Sequence, residues 1–167
     1  MELLVGIGAD SKERPIEKCN NYGDVKATGE KTYMAVAGGM IGDGTCTIVI
    51  TNCYNSGNIF VEKVSYGYAG GIAGRTQEQG STKTLTMNNC YSKGKVAGKD
   101  VTANKVLGAI GGVVDILGVS DTYYYNKIDE TPKALRNKDY EEEKVIGTDR
   151  DFNSFDDFIE WLNKNGL

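Results

Sequence analysis

Histidine is absent from this 167-residue chain. With it go the commonest general base, the usual partner of a nucleophilic serine or cysteine, and the usual zinc ligand. No apolar run reaches the about 18 residues that a membrane-spanning helix needs, so bilayer insertion is not expected. No charged-then-apolar leader is visible either, and the chain reads as a mature or excised piece of a larger protein. Basic residues number 19 against 23 acidic ones, a formal charge of −4, and they are spread along the chain. Nucleic acid is therefore not an expected partner. Proline is also scarce, at two residues, which leaves no polyproline character.

Glycine, by contrast, is plentiful at 22 residues, and it recurs in order. Four segments align with one another: Ile16 to Val25, Ile50 to Ile59, Met87 to Val96 and Val119 to Ile128. Their first column is apolar (Ile16, Ile50, Met87, Val119), and three residues on stand Cys19, Cys53, Cys90 and then Thr122. The last column is apolar again (Val25, Ile59, Val96, Ile128), and two positions before it stand Gly23, Gly57, Gly94 and Asn126. Asn is the residue that best replaces Gly where φ is positive, so this column is expected to be a left-handed turn position. The spacing along the cysteine column is 34, 37 and 32 residues, in the range of stacked repeats.

A second motif lies between these blocks: Ala37 to Gly42 (AGGMIG), Ala69 to Gly74 (AGGIAG) and Ile110 to Asp115 (IGGVVD), with Val5 to Ala9 as a degraded first copy. Small and apolar residues alternate with glycine there, as where successive backbones approach closely. The many β-branched and aromatic residues, and the glycines within each unit, argue against a helical repeat. The expected fold is all-β, a right-handed parallel β-helix or solenoid of about four Gly-rich repeats (approximately 1–34, 35–70, 71–110 and 111–128). The polar stretches Arg75 to Thr86 and Ala97 to Leu107 are expected to be protruding loops.

Residues 129–167 form the second expected unit, a helical capping segment. Thr131-Pro132 would open a short helix over Lys133 to Lys138, and Glu141 to Glu143 reads as a solvated run. From Ser154 an amphipathic helix is expected: Ser154 caps it, Asp157 stands three residues on, and Phe155, Phe158, Ile159 and Leu162 share a face before Gly166. It could dock a partner, but a lid over the open end of the repeat core is the favoured role.

Gly70-Gly71-Ile72-Ala73-Gly74 and Asn52-Cys53-Tyr54-Asn55-Ser56-Gly57-Asn58-Ile59 resemble the GLUG-motif repeats of bacterial surface proteins, over about residues 5 to 128. The fourth copy departs from the pattern, with Thr122 for Cys and Tyr123-Tyr124-Tyr125 for the small polar residues. The resemblance implies a module of a large secreted or wall-attached bacterial protein, some of which carry a peptidase domain elsewhere, similar in style to β-helical adhesins. Its role is then a stalk or an adhesive surface at the cell exterior, with a surface glycan or a host or matrix protein as partner, and without catalysis or cofactor. A polysaccharide-active β-helix enzyme or a glycan-binding module is the alternative.

Each candidate site has two readings. The cysteine column could hold disulfides, a metal or simply core thiols. Stacked strands set equivalent side chains about 4.8 Å apart and pointing the same way, whereas a disulfide wants Cβ atoms about 3.8 Å apart, so a buried thiol ladder is favoured, with Cys46 packed separately. Asp10, Asp43 and Asp115 each follow a Gly-rich motif and could bind calcium, but their spacing is not that of a calcium roll and turn carboxylates are favoured. Asn20, Asn21, Asn52, Asn55, Asn88 and Asn89 fit turn ladders better than sugar contacts. Tyr54, Tyr91, Tyr123 and Tyr125, with Tyr124, could line a glycan-stacking surface, though aromatic stacks are also ordinary structure. Gly6-Ile7-Gly8 lacks the third glycine of a dinucleotide loop and is discounted.

Overall fold

The computed structural model describes residues 14–29, 33–44, 46–76, 85–114, 116–120, 122–125 and 145–165. The first pass of the chain lays down β1 (Arg14–Glu17), β2 (Asn20–Asn21), β3 (Val25–Thr28), β4 (Met34–Gly38) and β5 (Ile41–Asp43). The second gives β6 (Ile48–Thr51), β7 (Tyr54–Asn55), β8 (Ile59–Gly70) and β9 (Ala73–Thr76), and the third gives β10 (Leu85–Asn88), β11 (Tyr91–Ser92), β12 (Val96–Gly108) and β13 (Gly111–Val114). Then follow β14 (Ile116–Ser120), β15 (Thr122–Tyr125), β16 (Val145–Thr148) and one helix, α1 (Phe155–Lys164). The protein is mostly β, with parallel sheets and a C-terminal helix.

Four sheets collect equivalent strands of successive passes: β1-β6-β10-β14, β2-β7-β11-β15-β16, β3 and β4 with β8 and β12, and β5-β9-β13. All pairings are parallel, and the register reproduces the aligned columns: Ile16, Ile50, Met87 and Val119 are partners, as are Val25, Ile59 and Val96. β16 adds a further parallel strand, Thr122 to Tyr125 against Val145 to Thr148, so stacking continues past the expected boundary at residue 128.

In β6 and β10 the sequence alternates inward Ile48, Ile50, Leu85 and Met87 with half-exposed residues, which is how a strand buries one face. These side chains join Cys53, Ile72, Cys90 and Ile110 in the main core. A second core belongs to β8 and β12, each of which bends where Lys63 and Asp100 take left-handed φ values of 55° and 53°. The two halves of the bent strands face each other: Ile59, Val61 and Val96 from one half meet Ala69, Ala35 and Ala37 from the other side of the bend. We call this bent region the arm. β12 takes in Ala97 to Leu107, which is paired strand, not loop, because eight of these residues find register partners in β8.

Two further expectations change. The third Gly-rich block is shifted by three residues: Ala37, Ala69 and Leu107 are register partners, so Leu107 to Gly112 is the equivalent segment and not Ile110 to Asp115. The left-handed column also lies elsewhere. Positive φ falls on Lys18 (55°), Asn52 (56°) and Asn89 (50°), directly before each cysteine, and not on Gly23, Gly57 or Gly94. Those glycines serve close approach: a Cβ on Gly57 would overlap the Gly23 carbonyl, and one on Gly94 the Gly57 carbonyl. Asn126 lies outside the described residues, as do Ile128, the expected helix over 133–138, Glu141 to Glu143 and Gly166.

Candidate functional site

The recurring residues of the sequence come together in columns, and most are consumed by the stacking itself. Cys53 and Cys90 are buried while Cys19, in the first copy, is exposed, and all four cysteines are free thiols. The Cys53 and Cys90 thiols each donate to the carbonyl two residues back, at 3.4 Å to Thr51 O and 3.2 Å to Asn88 O. Burial raises the Cys90 thiol well above its ordinary value, which leaves it protonated and unreactive.

The asparagines form ladders between copies. Asn21 Nδ2 donates to Asn55 Oδ1 at 2.8 Å, and Asn55 Nδ2 donates on to Ser92 Oγ at 3.2 Å and to Gly57 O at 3.0 Å. Asn89 Nδ2 donates to Asn52 Oδ1 at 3.1 Å. The Asn58 amide donates to Asp24 Oδ1 at 2.8 Å, and the Lys95 amide to Asn58 Oδ1 at 3.0 Å. Asn55 and Ser92 press against the Gly-rich motif, since a Cβ on Gly39 would sit 2.7 Å from Asn55 Cγ and one on Gly71 would overlap the Ser92 hydroxyl. These amides and hydroxyls answer one another.

Tyr54, Tyr91 and Tyr123 are register partners, one residue on from the cysteine column, and so they point to the opposite face of their sheet. Tyr54 and Tyr91 stack at 5.6 Å between ring centroids. The helix was expected over the end of the stack, but it lies against this outer face. Phe158 packs 5.4 Å from Tyr91 and 5.9 Å from Tyr123, and Trp161 stands edge-on to Tyr123 at 5.2 Å. Tyr54 Oη donates to Phe152 O at 2.7 Å, Tyr91 Oη to Arg150 O at 3.1 Å, and Lys93 pairs with Asp151 at 2.7 Å. Tyr54 and Tyr91 are 0% exposed and Tyr123 5%. The ligand face expected of Tyr54, Tyr91, Tyr123 and Tyr125 is thus occupied by the chain's own C-terminal segment, with Tyr125 half-buried at its margin.

The helix forms where the capping residues placed it. Ser154 Oγ accepts from the Asp157 amide at 3.2 Å, and Asp157 Oδ2 accepts in return from the Asn153 amide at 3.1 Å. Phe158 and Leu162 are its buried residues.

Asp43 shares its column with Arg75 and Val113. Its register partner is Arg75, which grips it bidentately, Nε to Oδ1 at 2.8 Å and Nη2 to Oδ2 at 2.6 Å. A calcium ion would have to displace that guanidinium. Asp10 and Asp115 lie outside the described residues. Among the described residues no three of His, Cys, Asp and Glu converge as a metal site would require.

Two tyrosines stay open among the described residues, and sequence reasoning missed both: Tyr22, 60% exposed beside Tyr54, and Tyr33 on the arm. At the tip of the arm the rings of Tyr33 and Tyr66 lie 4.4 Å apart at 36°, and Tyr33 is 70% exposed. Tyr68 follows two residues after Tyr66 on the same half-exposed face. The neighbouring Tyr66 hydroxyl raises the Tyr33 phenol above its ordinary value. The signal was present as tyrosine at 33, 66 and 68, but none of these stands in an aligned column. Comparison with family models, with curated proteins and with solved structures returned no match.

Proposed function

We propose that this chain is a non-catalytic repeat module, a right-handed parallel β-helix of GLUG-type repeats from a secreted or cell-surface bacterial protein, acting as a stalk or adhesive surface. The observation that carries this reading is the use made of the recurring polar groups. Asn21, Asn55 and Ser92, Asn52 and Asn89, Asp24 and Asn58, and Asp43 and Arg75 all bond from one copy to the next. A repeat that spends its polar side chains on its neighbours is a scaffold, and its contacts with other molecules fall to residues outside the columns. Glycan binding is the second reading, favoured by the exposed Tyr33 beside Tyr66. Protease shaving of intact cells that make the parent protein tests the first reading: peptides of this chain should appear before lysis, and their release only after lysis overturns it.

A further inference from the structure

The inner face of the arm is closed by columns of side chains that run across three copies. Val25, Ile59 and Val96 form one, Ala27, Val61 and Gly98 the next, and Ala37, Ala69 and Leu107 a third, all apolar or glycine. The fourth reads Ala35, Gly67 and Lys105. Lys105 is the one charged residue in these columns, and its stem turns inward. A Cβ on Gly98, on the other half of the bend, would lie 2.9 Å from Lys105 Cδ and 3.2 Å from Lys105 Cγ. The preceding copy makes the same contact with the sizes exchanged: a Cβ on Gly67 would lie 3.0 Å from Val61 Cγ2. The lysine stem thus fills the space that Gly98 leaves, and because the residue is exposed its ammonium stays in water.

Position in the sheet gives this lysine its consequence. β12 is the last strand of its sheet among the described residues, and at 13 residues it is a long edge. It carries one more residue than β8 between Val101 and Asn104, a bulge, but its register is regular from Val96 to Lys99 and from Asn104 to Gly108. The opposite edge, β3 and β4, ends the same columns in Val25, Ala27, Ala35 and Ala37. That apolar edge on one molecule matches β12 on another: the strands would run parallel, as they do between copies, and the inward columns would continue. Such a head-to-tail contact joins two different surfaces and does not close, so it would grow into a filament. We propose that Lys105 is an edge guard that bars a second molecule of this chain from stacking its β3 and β4 on β12. A strand laid there would take the Lys105 ammonium out of water among alanine and valine side chains, with no carboxylate in the four columns to receive it. Lys99 lacks this role, because it follows the inward Gly98 and so faces outward on the side of Glu62, its register partner. The guard stands apart from the surface-module reading and holds whether or not that reading does.

The test is sedimentation velocity of the purified chain over a wide range of concentration, with far-UV circular dichroism to confirm that each variant is folded. Lys105→Val mirrors the Val61 and Gly67 pair, and Lys105→Met keeps the stem and loses only the charge. Both should associate, the weight-average mass rising roughly twofold or more with concentration. Amide exchange should slow at residues 104–108 as they do so. The unaltered chain should show no such rise, nor should Lys99→Val, which removes the same charge from the outward face of the same strand. Adding Ala27→Lys to Lys105→Val should abolish the association, since it places a charge in the facing edge. Four results would each overturn the proposal: association of the unaltered chain through residues 104–108, equal association of Lys99→Val, association that survives Ala27→Lys, or none in either folded Lys105 variant.

Discussion

The tyrosine ladder and the arm come from the same repeats and meet opposite fates. In the ladder sheet both faces are covered, Cys53 and Cys90 by the main core and Tyr54 and Tyr91 by Phe152, Phe158 and Trp161. In the arm only the inner face is covered, and Tyr66 and Tyr68 on the outer face stay half-exposed with Tyr33 beside them. Both regions hold their register through backbone pairing between copies, so the stack does not depend on which face is buried. What differs is whether another part of the chain has claimed the aromatic face. A covered tyrosine contributes stability, and an open one is free to contribute contact.

The sharpest way to break this comparison is to uncover the ladder. Phe158 touches Tyr91, Tyr123, Phe152 and Trp161 and is fully buried. Phe158→Ala should cost about 4 kcal/mol in urea unfolding, from lost burial and the cavity left behind. A cost under about 1 kcal/mol would mean that the helix lies on the ladder only loosely. Next comes the glycine column. Gly94→Ala places its Cβ on the Gly57 carbonyl, a backbone atom that cannot swing aside, and should cost about 3 kcal/mol. Gly23→Ala meets nothing nearer than Asn21 Oδ1 at 3.9 Å and should be neutral or stabilise by about 0.5 kcal/mol. Equal effects at the two sites would refute close approach as the reason for glycine.

Asn55→Ala tests whether the amide ladder is itself structural. Removing it deprives Asn21 and Ser92 of a buried partner and should cost about 2 kcal/mol, with Asn55→Ser recovering part of it. An unchanged midpoint would show that backbone pairing alone holds the copies together. A pH titration compares the two regions by another route. Burial raises the Tyr91 phenol, and burial raises Tyr54 as well, from an ordinary value of 10.0. A phenol whose folded value is raised stabilises the fold fully below the unfolded value, and that contribution is lost as pH climbs from about 10 towards the folded one. Stability should therefore be flat on this account below pH 10 and fall above it, and Tyr91→Phe should flatten the fall. Ionisation of both ladder phenols without unfolding, followed by absorbance at 295 nm, would contradict their burial.

The repeat was legible because its signals are local and additive. Alternation in Ile48 to Thr51 and Leu85 to Asn88, and the matched columns from Ile16 to Val119, need only strand geometry to be read. The cap at Ser154 was legible for the same reason. What escaped was set by tertiary context. The glycine column was read through φ, whereas its cause at Gly57 and Gly94 is a carbonyl on the preceding copy, 34 or 37 residues earlier. The shift of the third Gly-rich block arises because Leu107 and Ala109 stand where Ala69 and Gly71 do, so the IGGVVD string mimics the motif out of register. Ala97 to Leu107 looked like loop because its outward residues are polar, and pairing with β8 is invisible in composition. The choice between a ladder face and an arm face for ligand contact turned on where one helix lies, which no column records.

The smallest expected effect bears most directly on that choice. Tyr33 is 70% exposed and its recorded ring contact is with Tyr66, so Tyr33→Ala removes little buried area and should shift stability by no more than about 0.5 kcal/mol. Tyr54→Ala, in a fully buried ladder position with its hydroxyl on Phe152 O, should cost several times as much. Parallel urea curves for the two variants measure the ratio. If Tyr33→Ala proves as costly as Tyr54→Ala, the arm tip is core by function as well as by descent, and the distinction between covered and open tyrosines fails. If instead stability holds, folding makes no demand for the ring at 33, and the contrast with the covered ladder stands.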